Sequence, residues 1–238
     1  HGAELVIGNF NKISNDKKSS SGHDRVFESD TLLLKNDIFT YIEQYLNAPN
    51  KFPLLTQSWG RLFKTSIIKD NAVCFNPDLH TFEDVSFNFD YLKYVERAFF
   101  IKQPLYNLLI HTDYLSQTMN MRDNPNLLFG FQEALRKVKE LVEPRWSRLS
   151  VIENLSNAYI RYTIIQLIRL CLQVNNKNKK EIYQFIYKIV NGAELQNNLR
   201  FYTSSPGDSK LLPILMRFRL IRLIMIVCGL RAKQRYKY

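Results

Sequence analysis

The spacing of hydrophobic residues predicts both strands and helices over the first half of the chain. Leu5, Val6 and Ile7 form a short apolar run, which is typical of a buried strand. A repeat near 3.6 residues predicts helices instead. The extended segments predicted in this way span 4–10, 98–101 and 104–111, and the helices span 31–46, 65–70 and 83–96. We therefore expect an α/β fold for this half.

From residue 127 onward the pattern predicts helices only. The predicted helices span 127–142, 148–174, 181–190 and 211–230. We therefore expect three parts along the chain. They are an α/β part over 1–122, a helical region over 123–208, and a basic amphipathic C-terminal helix over 209–238.

The positive charge of the chain is concentrated at its C-terminus. The net charge is +11, and no acidic residue follows Asp208, whereas eight basic residues do. The protein is therefore not basic throughout, and a general affinity for polyanions is not expected. The three cysteines are far apart and form no CxxC motif. This spacing argues against a disulfide framework or a zinc site and favours a reducing compartment.

The most informative chemistry lies at Glu83 and Asp84, where a helix is predicted to begin. Thr81 is positioned to cap that helix, and both acids then fall in its first turn. Acids in a first turn commonly serve only to stabilise the helix. A carboxylate fixed at a helix start also suits a general base. The flanking sequence distinguishes these two interpretations.

The order of motifs around the acidic pair resembles the C-terminal half of family 2, GT-A-type glycosyltransferases. The resemblance covers roughly residues 1–120 and includes the opening strand AELVIGNF. The other matching positions are Trp59, Arg61-Leu62-Phe63-Lys64, Ile67-Ile68, Glu83-Asp84, Pro104-Leu105-Tyr106, His111, Leu115 and Ser116. The fold that this implies is the C-terminal half of a GT-A (Rossmann-like) domain, followed by the all-helical region.

The resemblance implies an inverting glycosyltransferase in which Asp84 is the catalytic base and Glu83 orients the acceptor or the base. A sugar would pass from a nucleotide-diphosphate sugar to a hydroxyl of a lipid-linked or surface-polysaccharide acceptor, in the synthesis of the cell envelope. The family also uses a divalent metal, Mg or Mn. Its donor-binding half, with the Asp-x-Asp metal motif, precedes the opening strand, and no Asp-x-Asp occurs here. We therefore expect the chain as given to be incomplete for activity, as a fragment or an inactive remnant.

Five further residues are candidates for substrate binding by the same resemblance. Trp59 stacks on an acceptor sugar or belongs to the core. Arg61 and Lys64 lie near the donor diphosphate or form a solvated pair. His111 lies near the diphosphate or its metal, or in a surface loop, and Ser116 shapes that loop. The family usually has Arg where this chain has Leu109.

The C-terminal segment has the composition of a helix that lies on a membrane surface. Its longest uncharged run, Leu223 to Leu230, is too short to span a bilayer. The arginines within it would reach anionic headgroups, with Arg219 and Arg222 on one helix face. The alternative is a core helix packed on the helix at 148–174. The candidate membrane-binding residues are Arg217, Arg219, Arg222, Arg231, Lys233 and Arg235. A peripheral protein at the cytoplasmic face of the cell membrane is expected.

A rival hypothesis is a non-catalytic helical binding or scaffold protein whose basic tail contacts nucleic acid or membrane. Nucleic-acid-binding faces usually form a basic patch on a folded domain with interleaved aromatic residues. Here the charge lies in a terminal segment instead. A specific nucleic-acid partner is therefore not expected.

Overall fold

The fold was examined in a computed structural model, which describes residues 1–14, 17–19, 27–49, 52, 54–79, 81–110, 127–205 and 207–235. These residues form five β-strands and nine α-helices, which confirms the mixed α/β class. They divide into two compact units, one up to Trp146 and the other from Ser147 onward. The helix over 127–142 therefore lies in the first unit, whereas we had assigned it to a helical region beginning at 123.

The described residues of the first unit form a five-stranded mixed sheet. Its strands are β1 (Leu5–Ser14), β2 (Lys17–Ser19), β3 (Thr31–Leu34), β4 (Arg61–Phe63) and β5 (Arg97–Ile110). Four of them follow the order β2-β1-β5-β3, and β4 pairs with β1. The central strands β1 and β5 run parallel, β3 runs antiparallel to β5, and β2 and β4 pair antiparallel with opposite ends of β1.

A register irregularity between β1 and β5 joins two segments that we predicted separately. The pairing shifts on both sides of Asn9, which lies opposite Pro104, a residue that has no N–H to donate. The side-chain amide of the fully buried Asn9 donates to the carbonyl of Lys102 over 3.0 Å and so joins the two strands at this irregularity. The segments predicted separately over 98–101 and 104–111 form one strand as far as Ile110.

Four helices accompany the sheet of the first unit: α1 (Lys35–Asn47), α2 (Thr65–Asp70), α3 (Glu83–Leu92) and α4 (Leu127–Val142). The helix predicted over 31–46 is wrong in its first turn, because residues 31–34 pair with β5 as β3. The core of this unit includes the fully buried Phe89, Tyr91 and Phe100.

Two sets of charged contacts fix α3. At its C-terminal end, the Nζ of Lys35 donates to the carbonyls of Leu92, Lys93 and Val95 at 3.2, 3.1 and 2.6 Å. Along its side, Lys93 bridges Asp90 and Glu140 of α4, at 2.6 and 2.7 Å. The helix that begins with Glu83 and Asp84 is thereby anchored to both of its helical neighbours.

The second unit is entirely helical over its described residues and contains α5 (Arg148–Leu172), α6 (Lys179–Asn191), α7 (Ala193–Asn198), α8 (Leu211–Arg217) and α9 (Ile221–Arg235). No described helix combines the length and the apolar character that crossing a membrane requires. The single helix predicted over 211–230 is wrong. Arg219 adopts a left-handed conformation, with φ of 56°, and separates α8 from α9. Arg219 and Arg222 therefore do not share a helix face.

Candidate functional site

Helix α3 begins at Glu83, so both acids occupy its first turn as predicted. The predicted cap is wrong, however. Phe82 holds the N-cap position in a left-handed conformation, with φ of 64°, and no side chain caps the helix. A bulky residue is rarely found in this conformation. The Phe82 ring packs on Phe131 of α4, with ring centroids 5.4 Å apart, and this contact helps to hold the turn.

Helix α4 approaches this turn so closely that only glycine fits at the contact. A Cβ atom at Gly130 would lie 2.3 Å from the carbonyl oxygen of Thr81. Gly130 therefore brings the α4 backbone against the residues that precede the acidic pair. The position of Glu83 and Asp84 depends on this contact as well as on α3 itself.

Asp84 has a polar partner from a different part of the chain. The hydroxyl of Ser58 donates a hydrogen bond to its Oδ1. The Ser58 segment is held in place by Asn88, one turn further along α3, whose side-chain amide donates to the carbonyls of Leu55 and Gln57 at 3.0 and 2.9 Å. The arrangement fixes the orientation of the Asp84 carboxylate. Ser58 was not among the predicted site residues, although it immediately precedes Trp59.

Two buried oxygen atoms in the same segments accept no hydrogen bond. They are Oε2 of Glu83 and Oε1 of Gln57, and neither has a partner among the described residues. A buried acceptor without a donor is unfavourable by about 1–3 kcal/mol. Each of these atoms has less than 1 Å² of accessible surface, so a ligand could donate to it only after this region opens.

Trp59 is half-buried within an aromatic cluster. Its ring meets Phe10 edge-on at 4.8 Å and stacks with Tyr106 at 4.7 Å. The neighbouring Gly60 has a φ of 66°, which glycine adopts without strain, and this turn directs the chain from Trp59 into β4. Tyr106 remains 38% exposed. The cluster thus combines a packed tryptophan with an accessible aromatic ring, and Tyr106 belongs to the Pro-Leu-Tyr motif of the sequence.

Arg61 and Lys64 occupy different environments. The Arg61 guanidinium donates to the carbonyls of Gly8 and Leu54, at 3.1 and 2.6 Å, and so joins the Ser58 segment to β1. Burial lowers the pKa of Arg61 to about 10, although nearby Tyr41 and Asp84 favour its protonated form. Lys64 is exposed. The two residues therefore do not form a solvated pair, and Arg61 contributes to positioning the site.

The candidate residues His111 and Ser116, and Leu115 of the same motif, lie outside the described residues. Leu109, where the resembling family usually has Arg, is exposed near the end of β5. In the described part of the chain, no group of three or more His, Cys, Asp or Glu side chains is arranged to hold a metal ion.

In the second unit, α9 has two apolar faces. It packs against α5 and buries Ile221, Ile224, Cys228 and Ala232. The residues Leu223, Ile226 and Leu230 share a different face and are exposed, with Ile226 58% accessible. Helix α8 exposes Leu211 and Ile214, and the C-cap residue Phe218 is exposed at the same spacing. The second unit thus carries exposed apolar residues on consecutive helices; we call these six residues the apolar stripe.

The candidate membrane-binding cations accompany this stripe. Arg217, Arg219, Arg222 and Lys233 are exposed, Arg231 is half-buried, and Arg235 is the last residue of α9. The packing of α9 on α5 agrees with the core-helix alternative for one face of α9, and the membrane-surface interpretation stays a prediction.

Comparison with protein-family models found no match to this chain, and neither did comparison with curated proteins.

Proposed function

We propose that the first unit is the acceptor-side half of an inverting, family 2 glycosyltransferase of the GT-A type. The observation that carries the proposal is the carboxylate of Asp84, held at the start of α3 by Ser58 and flanked by the unpartnered oxygen of Glu83. The parallel pair of β1 and β5 agrees with the Rossmann-like sheet of such a domain. The motif order of the sequence supplies the family resemblance.

In this proposal Asp84 accepts the proton of an acceptor hydroxyl while that oxygen attacks the anomeric carbon of the donor sugar. The bond to the diphosphate breaks on the opposite side of the sugar, so its configuration inverts. A single carboxylate on the attacking face meets this requirement, as in other inverting sugar chemistry. The Ser58 hydrogen bond keeps one oxygen of Asp84 oriented, which leaves the other to accept the proton.

Glu83 and the aromatic cluster would hold the acceptor. If acceptor binding opens this region, the buried oxygens of Glu83 and Gln57 would accept hydrogen bonds from sugar hydroxyls, which would satisfy two unpaired atoms. The exposed ring of Tyr106, supported by Trp59, offers a face for the C–H groups of a sugar ring. The described residues contain no set of ligands that fits Mg or Mn, so we derive no step through a metal.

The experiment is a transfer assay on the full-length product of the gene. It should be incubated with a set of nucleotide-sugar donors and lipid-linked or polysaccharide acceptors, and the product linkage determined by NMR. We expect transfer with inversion at the anomeric carbon. Retention of configuration would contradict the proposal, as would failure of every donor to react.

We further propose that the second unit attaches the protein to the cytoplasmic face of an anionic membrane. The apolar stripe lies among basic residues, and no acidic residue follows Asp208. Apolar side chains flanked by cations bind anionic bilayers through both burial and charge. This attachment suits a lipid-linked acceptor.

Vesicle binding tests this attachment. Replacing Phe218, which is 67% exposed, by Ser should weaken binding to anionic vesicles. The matched control is Leu62→Ser in β4, where the leucine is 68% exposed in the first unit. Equal binding of the two variants would contradict attachment through the stripe. Binding to a nucleic-acid duplex without binding to vesicles would favour the scaffold hypothesis instead.

A further inference from the structure

A cavity of about 480 Å³ in the second unit is lined by Gln196, Arg200, Arg217 and Arg219. Three of these four residues are arginines, and no carboxylate lines the cavity. Within the described part of the chain, none of the three forms an ion pair. Guanidinium groups gathered in this way repel one another unless an anion neutralises them. The cavity therefore has the charge of an anion site.

The walls of the cavity are held together by hydrogen bonds to the backbone. The Gln196 amide donates to the carbonyls of Val190 and Met216, at 2.7 and 3.0 Å, and connects α7 to the ends of α6 and α8. Arg217 donates to the carbonyl of Leu199 at 2.7 Å. These contacts bring Arg200, from the turn after α7, and Arg217, from α8, to one cavity without requiring a ligand to assemble them.

Arg219 reaches the cavity from an unfavourable backbone conformation. The α8 helix ends in a Schellman motif, in which the N–H of Leu220 donates to Leu215 and that of Arg219 to Met216. Glycine is the usual residue at the left-handed position of this motif, because a Cβ atom there is strained. Arg219 occupies it with φ of 56°. Unfavourable conformations of this kind concentrate where a side chain serves function.

The same motif ends α2 and offers a comparison within the chain. There Ala72 occupies the left-handed position with φ of 50°, and Val73 donates to Ile68. Substitution by glycine at the two positions thus relieves the same strain, but only one substitution removes an arginine.

We propose that Arg200, Arg217 and Arg219 form a binding site for a phosphate group. Arginine is suited to phosphate because its planar donors pair with two oxygens at once. Phe218, largely exposed between two of the arginines, would contact the acyl region if the phosphate belongs to a lipid headgroup. This proposal depends on the proposed membrane attachment only if the phosphate belongs to a lipid headgroup. It does not depend on the glycosyltransferase proposal for the first unit.

The site is tested with two probes: vesicles of phosphatidylcholine with and without phosphatidic acid, and inorganic phosphate measured by calorimetry. Arg200→Gln and Arg219→Gly should each weaken binding about tenfold or more, the loss expected for a charge-assisted pair. Arg148→Gln, which removes one exposed charge of the second unit outside the cavity, should have a much smaller effect. Ala72→Gly should leave binding unchanged.

Stability separates loss of the site from loss of the fold. Arg219→Gly should raise the unfolding midpoint of the second unit or leave it unchanged, as followed by circular dichroism, while binding falls. Binding of inorganic phosphate identifies a soluble ligand, and dependence on phosphatidic acid alone identifies a lipid headgroup. Equal losses in Arg200→Gln and Arg148→Gln would overturn the proposal, because they would indicate diffuse surface charge. Absence of binding to both probes would also overturn it.

Discussion

The contact between Gly130 and Thr81 predicts that one added methyl group will destabilise the first unit. In Gly130→Ala, the new Cβ would lie 2.3 Å from the Thr81 carbonyl oxygen. An ordinary carbon–oxygen contact is about 3.3–3.6 Å. The α4 backbone and the turn before α3 must therefore separate by about 1 Å, in a region where Phe82 and Phe131 already pack together.

The magnitude follows from two opposing effects. Replacing glycine by alanine inside a helix stabilises it by up to about 1 kcal/mol. Inserting a methyl group into a closely packed contact destabilises by roughly 1–3 kcal/mol. We expect the clash to dominate at Gly130 and to lower the free energy of unfolding by about 1–2 kcal/mol. Gly229 in α9 provides the control, because its added Cβ meets no atom within 4 Å.

The assay can report on the first unit alone. The only two tryptophans, Trp59 and Trp146, both lie in that unit, so tryptophan fluorescence during urea unfolding follows it selectively. Gly130→Ala should unfold at lower urea, whereas Gly229→Ala should leave the fluorescence transition unchanged and stabilise the helical signal in circular dichroism. A Gly130→Ala variant as stable as the parent would refute the close approach of α4 to Thr81.

Three further perturbations test how α3 is held. Lys35→Met should destabilise the first unit by roughly 2–3 kcal/mol, since it leaves buried carbonyls without a charged donor. The exposed control Lys69→Met should change stability by less than about 0.5 kcal/mol. Equal effects of the two substitutions would contradict the anchoring of α3 by Lys35. Tyr91→Phe removes hydrogen bonds to the Glu4 carbonyl and from the Lys64 amide, so fluorescence-monitored unfolding should show a loss of about 1–2 kcal/mol, and no loss would contradict these bonds. Burial alone would raise the pKa of Asp90, but hydrogen bonds from Lys93 and Lys137 outweigh it and lower that pKa. This stabilisation is complete above the unfolded-state pKa of about 3.9 and is lost as the pH falls through the folded pKa. In Asp90→Asn, the free energy of unfolding should therefore fall less steeply as the pH is lowered. An unchanged pH dependence would contradict the assignment.

The elements predicted well from sequence are those whose local pattern agrees with their final environment. Helix α4 begins and ends where its period and Pro144 indicated. The segment 31–34 has an apolar run that fits either a helix or a strand, and pairing with β5 decided the outcome. The break at Arg219 has no glycine or proline to announce it, so local rules favour one continuous helix.

The candidate site was predictable from sequence only in part, because some of its contacts join residues that are far apart in the chain. The acidic pair at the start of α3 follows from its position before an apolar, helical pattern. The Ser58 contact to Asp84 does not, because it depends on Asn88 binding the carbonyls of a distant segment. The left-handed Phe82 opposes local preference and is accompanied by packing on Phe131. Such long-range contacts leave little trace in the pattern of residue types.

The most direct test of the account is sugar transfer by the Asp84→Asn variant of the full-length gene product. Asp78→Asn is the matched control, because Asp78 is an exposed carboxylate shortly before α3. We expect Asp84→Asn to lower the transfer rate about 10²–10⁴-fold, as loss of a general base does, with binding of the nucleotide sugar unchanged and Asp78→Asn fully active. Retained transfer by Asp84→Asn would contradict the assignment of Asp84 as the base.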